Sequence, residues 1–469
     1  MTILRTLTIF ILITTISVAA AAQTPQRRAI RQAYPIELKR SDSLAIPSQV
    51  VRVEGALWLR LHIADFKLRG GDHVTITSLR DGGRQRLDAM SIPQWRNNTA
   101  FFNGDAVKIE LNVGDASDAF VKVNEITVGI APTSFQPDQQ DTICGANDDR
   151  VAINDPPVGR INALNDGINV SNPFCTAWAV SNGTFLTAGH CVDADPDQGG
   201  PQLPDGNADA GFINGVVEFN VPASQANGTT VFSNPNDQYP INQVTWAFGG
   251  NGTALGTDWA VFSVLQNSNT GLFPHPSRGF YRMTDQIPTA NSENVRVSGY
   301  GLDNTPTGTG GGENAQTRTL QTHTGTYQGR TQASGGTYHS YQVDTTGANS
   351  GSPIVWSNNP LFTIGIHTNA GCTSTGGSNT GTGFGHDPLE NAIQTFWNGN
   401  SVYVDPAAYP NTPARDGTIF RPHSTLAHGV NATPNGGNLF LTPNTYTGTT
   451  VINRPMTIRA PAGTVTIIP

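Results

Sequence analysis

From Val50 to about Val128 apolar and polar residues alternate in short runs: Ala56-Leu57-Trp58-Leu59-Arg60-Leu61-His62-Ile63, His73-Val74-Thr75-Ile76-Thr77, Ala106-Val107-Lys108-Ile109-Glu110-Leu111 and Ala119-Phe120-Val121-Lys122-Val123. Successive side chains leave a strand on opposite faces, so this rhythm specifies half-buried antiparallel strands. Gly70-Gly71 and Asp81-Gly82-Gly83 supply the breaks between them. The same punctuation continues through the chain, which holds 51 Gly and 31 Pro in 469 residues. In the second half only Leu389 to Trp397 carries a clear helical period. A mainly β protein of several domains is expected, with residues 46–130 forming a small β-sandwich.

At the start, one Arg at position 5 precedes an apolar run from Leu7 to Val18 and the small-residue stretch Ala19 to Ala22. That run is too short for a membrane span and has the layout of a signal peptide, so residues 1–22 are expected to be removed on export. Residues 23–45 read as an N-terminal linker. Residues 131–143, with two prolines and polar ends, read as a second linker and a natural place for cleavage. Four cysteines in an exported chain suggest two disulfides. The formal net charge is −8, and residues 144–400 hold seven Arg, no Lys and 19 acids. Nucleic acid and anionic membrane are therefore excluded as partners. No glycine-rich phosphate motif or zinc-type spacing occurs, so neither a cofactor nor a metal is expected.

Chemistry concentrates in three places. Thr345-Thr346-Gly347-Ala348-Asn349-Ser350-Gly351-Ser352-Pro353 is a small-residue turn that can present the Ser350 hydroxyl at a cleft with backbone N–H groups turned inward. Phe174 to Val180 and Phe185 to Cys191 form a hairpin across Ser181-Asn182-Gly183 that brings Cys175 opposite Cys191, so a disulfide would pin His190 against the sheet. A histidine between Gly189 and Cys191 is a poor core residue and a good base. Thr187-Ala188-Gly189-His190-Cys191 resembles the base motif of trypsin-like serine endopeptidases, and Asn349-Ser350-Gly351-Ser352-Pro353 resembles their nucleophile motif in the same order.

That resemblance implies a two-barrel trypsin-like domain over residues 144–400 and an acid between His190 and Ser350. Asp258, ahead of the apolar strand Trp259 to Val264, fits. Asp193, Asp195 and Asp197 lie too close to His190 in an exposed loop, and Glu218 reads as an exposed strand position. The implied roles are Ser350 as nucleophile, His190 as base and Asp258 as its orienting partner, with protein or peptide substrates. The amides of Ala348 and Ser350 would form the oxyanion site, where a donor contributes on the order of 3 kcal/mol. The family normally has glycine where Ala348 stands, because positive φ opposes a Cβ.

Thr345 and His367, in Gly365-Ile366-His367, resemble the pair that receives a glutamate side chain in bacterial glutamyl endopeptidases. A hydroxyl and a histidine can donate to a carboxylate. Cys372 lies 22 residues after Ser350, and pairing with the remaining Cys144 resembles the lysyl endopeptidase branch. The expectation is thus a secreted, monomeric serine endopeptidase, made as a precursor and cut either before Cys144 or at Arg150-Val151, with an acidic preference. Residues 46–130 resemble N-terminal regions found ahead of some such bacterial enzymes.

Residues 401–469 form short strands spaced by Gly and Pro, as in one or two rungs of a parallel β-helix, which must pack on something to be stable. Two other readings stand beside the enzyme: a catalytically impaired homologue, suggested by Ala348, and a surface adhesin acting as a binding module through its β-rich ends.

Overall fold

The computed structural model describes residues 29–40, 46–114, 118–130, 142–163, 169–170, 174–193, 207–248, 255–303, 314–333, 335–408 and 415–469. The expected signal peptide lies outside them, as does most of the 131–143 linker. Among the described residues no helix is long and apolar enough to cross a membrane.

The N-terminal alternation becomes two packed sheets. One orders Asn169–Val170, Ala29–Lys39, Phe120–Gly129, Trp58–Lys67 and Phe102–Asn103; the other orders Ser48–Arg52, Ala106–Asn112, His73–Ser78 and Arg84–Leu87. Their inner faces bury Leu61, Ile63, Val74, Ile76, Val107, Ile109 and Leu111. The segment 23–45 is not simply a linker, because Ala29–Lys39 is an eleven-residue strand. The sequence hides it because Pro35 interrupts the alternation, and the ladder shifts register between Ala33 and Ile36.

The sandwich core does not stop at its own sequence. It includes Val216 and Phe232 from beyond the second linker. Phe232 stacks on Phe101 at 4.5 Å and meets Trp58 edge-on at 5.4 Å. Buried Arg60 donates to the Asn214 carbonyl at 2.9 Å. Gln238 exchanges two hydrogen bonds with the Phe101 backbone, at 2.9 and 3.0 Å. Removing the sandwich would expose Phe232, an aromatic whose burial stabilises by roughly 1.5–3 kcal/mol.

Next come two six-stranded barrels. The first closes in the order Val158–Asn162, Phe174–Ala179, Phe185–Thr187, Trp259–Val264, Gln238–Ala247 and Val216–Glu218. The second runs Phe362–Asn369, Pro353–Trp356, Asn294–Gly299, Gln321–Ala333, Gly336–Gln342 and Asn379–Gly383, and the pairing of its last and first strands closes it. Phe185, Phe219 and Phe262 fill one interior; Val297, Tyr327, Tyr341 and Ile354 fill the other. A third cluster, including Trp178, Leu186, Tyr300, Val355 and Ile366, joins the barrels.

Glu218 requires a correction. It is fully buried, as is Arg160 opposite it in register. The sandwich covers the outer face of this barrel strand, so alternation no longer means exposure. Asp193 is also buried, accepting from Trp246 Nε1 at 3.4 Å, whereas Asp195 and Asp197 lie outside the described residues.

The expected helix spans Asp387–Thr395, with Pro388 in its first turn and Leu389 and Ile393 buried. Positive φ at Asn398, Gly399 and Asn400 then turns the chain out of it. Beyond, Ser401–Val404, Asn438–Leu441 and Thr457–Arg459 pair in parallel, as do Asn444–Thr447 and Val465–Ile468. Tyr403, Ile419, Phe420 and Phe440 share the core that joins the barrels, and Arg282 holds Asp405 at 2.6 Å. These coils therefore pack on the barrels, which give them the partner that one rung lacks.

Candidate active site

His190 sits where the strand Phe185–Thr187 ends and a 3-10 turn, Gly189–Cys191, begins. The turn presses on two neighbouring strand ends: a Cβ on Gly189 would collide with the Ala247 carbonyl oxygen. The Cys175–Cys191 disulfide is formed and holds the turn to the hairpin, and Cys144–Cys372 is formed as well.

Asp258 directly precedes the strand Trp259–Val264, whose pairing with Phe185–Thr187 brings it beside His190. One carboxylate oxygen accepts the His190 backbone N–H at 3.0 Å; the other meets Nδ1 at 2.6 Å. Asp258 is 3% exposed, and its backbone carbonyl accepts from Thr382 Oγ1 at 2.7 Å, across from the second barrel. This fixes the ring and leaves Nε2 with no hydrogen-bond partner among the described residues. Burial of the imidazole lowers its proton affinity, but the charge and hydrogen bond of Asp258 outweigh burial, so the pKa stands above the ordinary 6.5.

Ser350 lies in the loop between barrel strands. Thr176 N–H donates to the Ser350 carbonyl at 2.8 Å, and Gly351 N–H donates to the His367 carbonyl at 2.8 Å. Gly351 takes φ +91°, and a Cβ there would collide with the Thr176 carbonyl oxygen. These contacts set the loop against the base hairpin, with the Ser350 carbonyl 3.9 Å from Cys191 Sγ. The Ser350 hydroxyl makes no hydrogen bond to His190 in this state; such bonds often tighten only with substrate.

Ala348 adopts φ +73°, the left-handed backbone that the motif reserves for glycine. A side chain there costs roughly 1–3 kcal/mol, so the surrounding bonds hold it: Thr176 Oγ1 donates to its carbonyl at 3.1 Å. The amides of Thr346, Asn349, Gly351 and Ser352 have acceptors within the loop or its neighbours, whereas those of Gly347, Ala348 and Ser350 meet none among the described residues. Ala348→Gly is therefore expected to stabilise the fold by about 1 kcal/mol and to change kcat/KM by less than about tenfold. Activity that arises only in the glycine variant would instead favour the impaired homologue.

His367 is 4% exposed, with Nδ1 2.7 Å from the Tyr341 hydroxyl. Burial first, and the nearby His190 charge second, push its pKa down to about 3. A neutral ring that accepts from Tyr341 at Nδ1 carries its proton on Nε2. Tyr341 gave no signal in the sequence, because the pairing that brings it to His367 spans 26 residues of the second barrel. Thr345 is fully buried, and its hydroxyl engages Thr142 Oγ1 at 2.6 Å and Asn379 Nδ2 at 3.0 Å. Its partners are thus internal. Thr142, within the expected second linker 131–143, is part of this wall.

Residues 175–364 match the family description of a trypsin-like peptidase domain. The match covers the middle portion of the chain and takes in His190, Asp258 and Ser350. No curated protein sequence matches the chain. Among solved structures, a Glu endopeptidase in complex with MPD is 18% identical, with a TM-score of 0.36 over 54% of this chain and 99% of that one. The protease Anisep from Arthrobacter nicotinovorans is 18% identical, with a TM-score of 0.33 over 49% and 90%. An inactivated protease paralogue of the scabies mite is 16% identical, with a TM-score of 0.36 over 54% and 99%.

Proposed function

We propose that the protein is a secreted serine endopeptidase in which Ser350 attacks the scissile carbonyl. His190 takes its proton at Nε2 and returns it to the leaving amine, and Asp258 holds the imidazolium. The amides of Ala348 and Ser350 receive the oxyanion. The observation that carries this reading is the doubly hydrogen-bonded His190–Asp258 pair, on a turn whose Cys191 Sγ lies 3.9 Å from the Ser350 carbonyl. Two disulfides suit an oxidising compartment. The sandwich, which shares its core with the first barrel, stays as an accessory domain rather than leaving as a propeptide.

For specificity, the His367 Nε2–H donates to a glutamate side chain at the residue preceding the cut, while Thr345 braces the wall behind it. A site built to hydrogen-bond its substrate rejects analogues that lack the partner. Profiling with a mixed peptide library tests both levels. Wild-type protein is expected to cut after Glu, Ser350→Ala to cut nothing, and His367→Leu to lose at least about tenfold of the Glu preference. Cleavage after Lys or Arg with no preference for Glu would remove the role of His367 but leave the peptidase assignment.

His190 sets the pH dependence. The base must be neutral to accept a proton, so kcat/KM rises with pH through a pKa above 6.5. The stability that His190 contributes runs the other way: it is complete below the unfolded pKa and lost as pH rises through the raised folded one.

A further inference from the structure

We propose that Arg150 is a positioning residue for the nucleophile loop, and that Thr142–Arg150 is a structural buckle that must remain attached and uncut for the site to form. The role assigned to Ser350 above is assumed here. Three consecutive residues leading into the loop, Asp344, Thr345 and Thr346, are each held by this segment. Asp344 is buried and accepts the main-chain N–H of Cys144 at 2.7 Å and of Asp149 at 2.8 Å. Thr345 forms a β-bridge with Thr142. Thr346 Oγ1 accepts from Arg150 Nη1 at 2.7 Å.

The Arg150 side chain is 2% exposed and is neutralised by Asp148 at 2.6 Å. Its guanidinium also donates to the Leu302 carbonyl at 2.8 Å, and Leu302 N–H donates to the Gly347 carbonyl at 3.0 Å. Gly301 leaves room for this arrangement, since a Cβ there would crowd Arg150 Nη1, Thr346 Oγ1 and Asn349 Oδ1. Asn349 Oδ1 in turn accepts the Thr346 N–H at 3.0 Å, one residue before Ser350. The planar fork of arginine therefore connects the loop to the start of the domain through two directed bonds, which an ammonium cannot reproduce.

The same geometry bears on maturation. Asp344 already accepts two amides of the unbroken chain, and His323 Nδ1 lies 3.4 Å from its carboxylate. A cut at Arg150-Val151 would free the end of the buckle that carries the guanidinium. Any processing of the active form must therefore lie before Thr142.

The test combines hydrogen exchange with kinetics on the full chain carrying Arg150→Met, with Thr346→Val as a milder second variant in case the first does not fold. In Arg150→Met, peptides spanning 343–352 should lose protection while those of the first barrel keep theirs. kcat should fall about tenfold or more with KM little changed, since a charged hydrogen bond is being removed. Arg150→Lys should rescue only part of kcat. Unchanged exchange in both variants overturns the proposal, as does an active secreted form whose N-terminus is Val151. The exchange readout does not depend on activity: a wild type that proved inactive would fail the peptidase reading alone, while an active wild type with unaltered exchange in the variants would fail this one alone.

Discussion

Asp258→Asn is expected to lower kcat by about four orders of magnitude with little change in KM. The amide can still accept the His190 backbone N–H, so the fold around the turn survives. It cannot hold Nδ1–H and stabilise a positive ring as the carboxylate does at 2.6 Å. Burial of His190 is then unopposed, because it is the largest single influence on that ring and acts downward. The pKa that governs kcat/KM should therefore move from above 6.5 to below it. Steady-state kinetics between pH 5 and 9 give both quantities, and an asparagine variant within tenfold of wild type would sink the assignment of Asp258.

Arg160→Met is expected to cost about 3–5 kcal/mol of stability, because it strands a buried carboxylate. Glu218 and Arg160 are both fully buried, with contacts of 2.6 and 2.8 Å. Arg160 also donates to the carbonyls of Arg318 at 2.7 Å and Val231 at 2.9 Å, and Glu218 accepts the Ser233 N–H at 2.8 Å. The pair thus links the first barrel strand to the loops beneath the sandwich. Urea denaturation of Arg160→Met, Glu218→Leu and the double variant separates the terms. The double variant should recover part of the loss, since both charges leave together; a single variant as stable as wild type would contradict this.

What could be read from the chain alone divides along contact distance. The strands Trp58–Lys67 and Ala106–Asn112 announce themselves through alternation, and His190, Asp258 and Ser350 through short local motifs in a fixed order. Residues whose meaning depends on a distant neighbour were silent. Glu218 reads as exposed because nothing local says that a second domain covers its strand. Ala29–Lys39 is masked by Pro35, and Tyr341, Thr142 and Arg150 reach the site only through pairings of the folded barrel. Ala348 is an intermediate case: its motif position announces a left-handed residue, and the loop supplies φ +73° despite the Cβ.

The most direct measurement is covalent labelling of the full chain with a fluorophosphonate, followed by peptide mapping. The adduct is expected on Ser350, absent in Ser350→Ala and strongly slowed in His190→Ala. A chain that remains unlabelled at Ser350, or one that labels equally in Ser350→Ala, would contradict the proposal that this serine is the nucleophile.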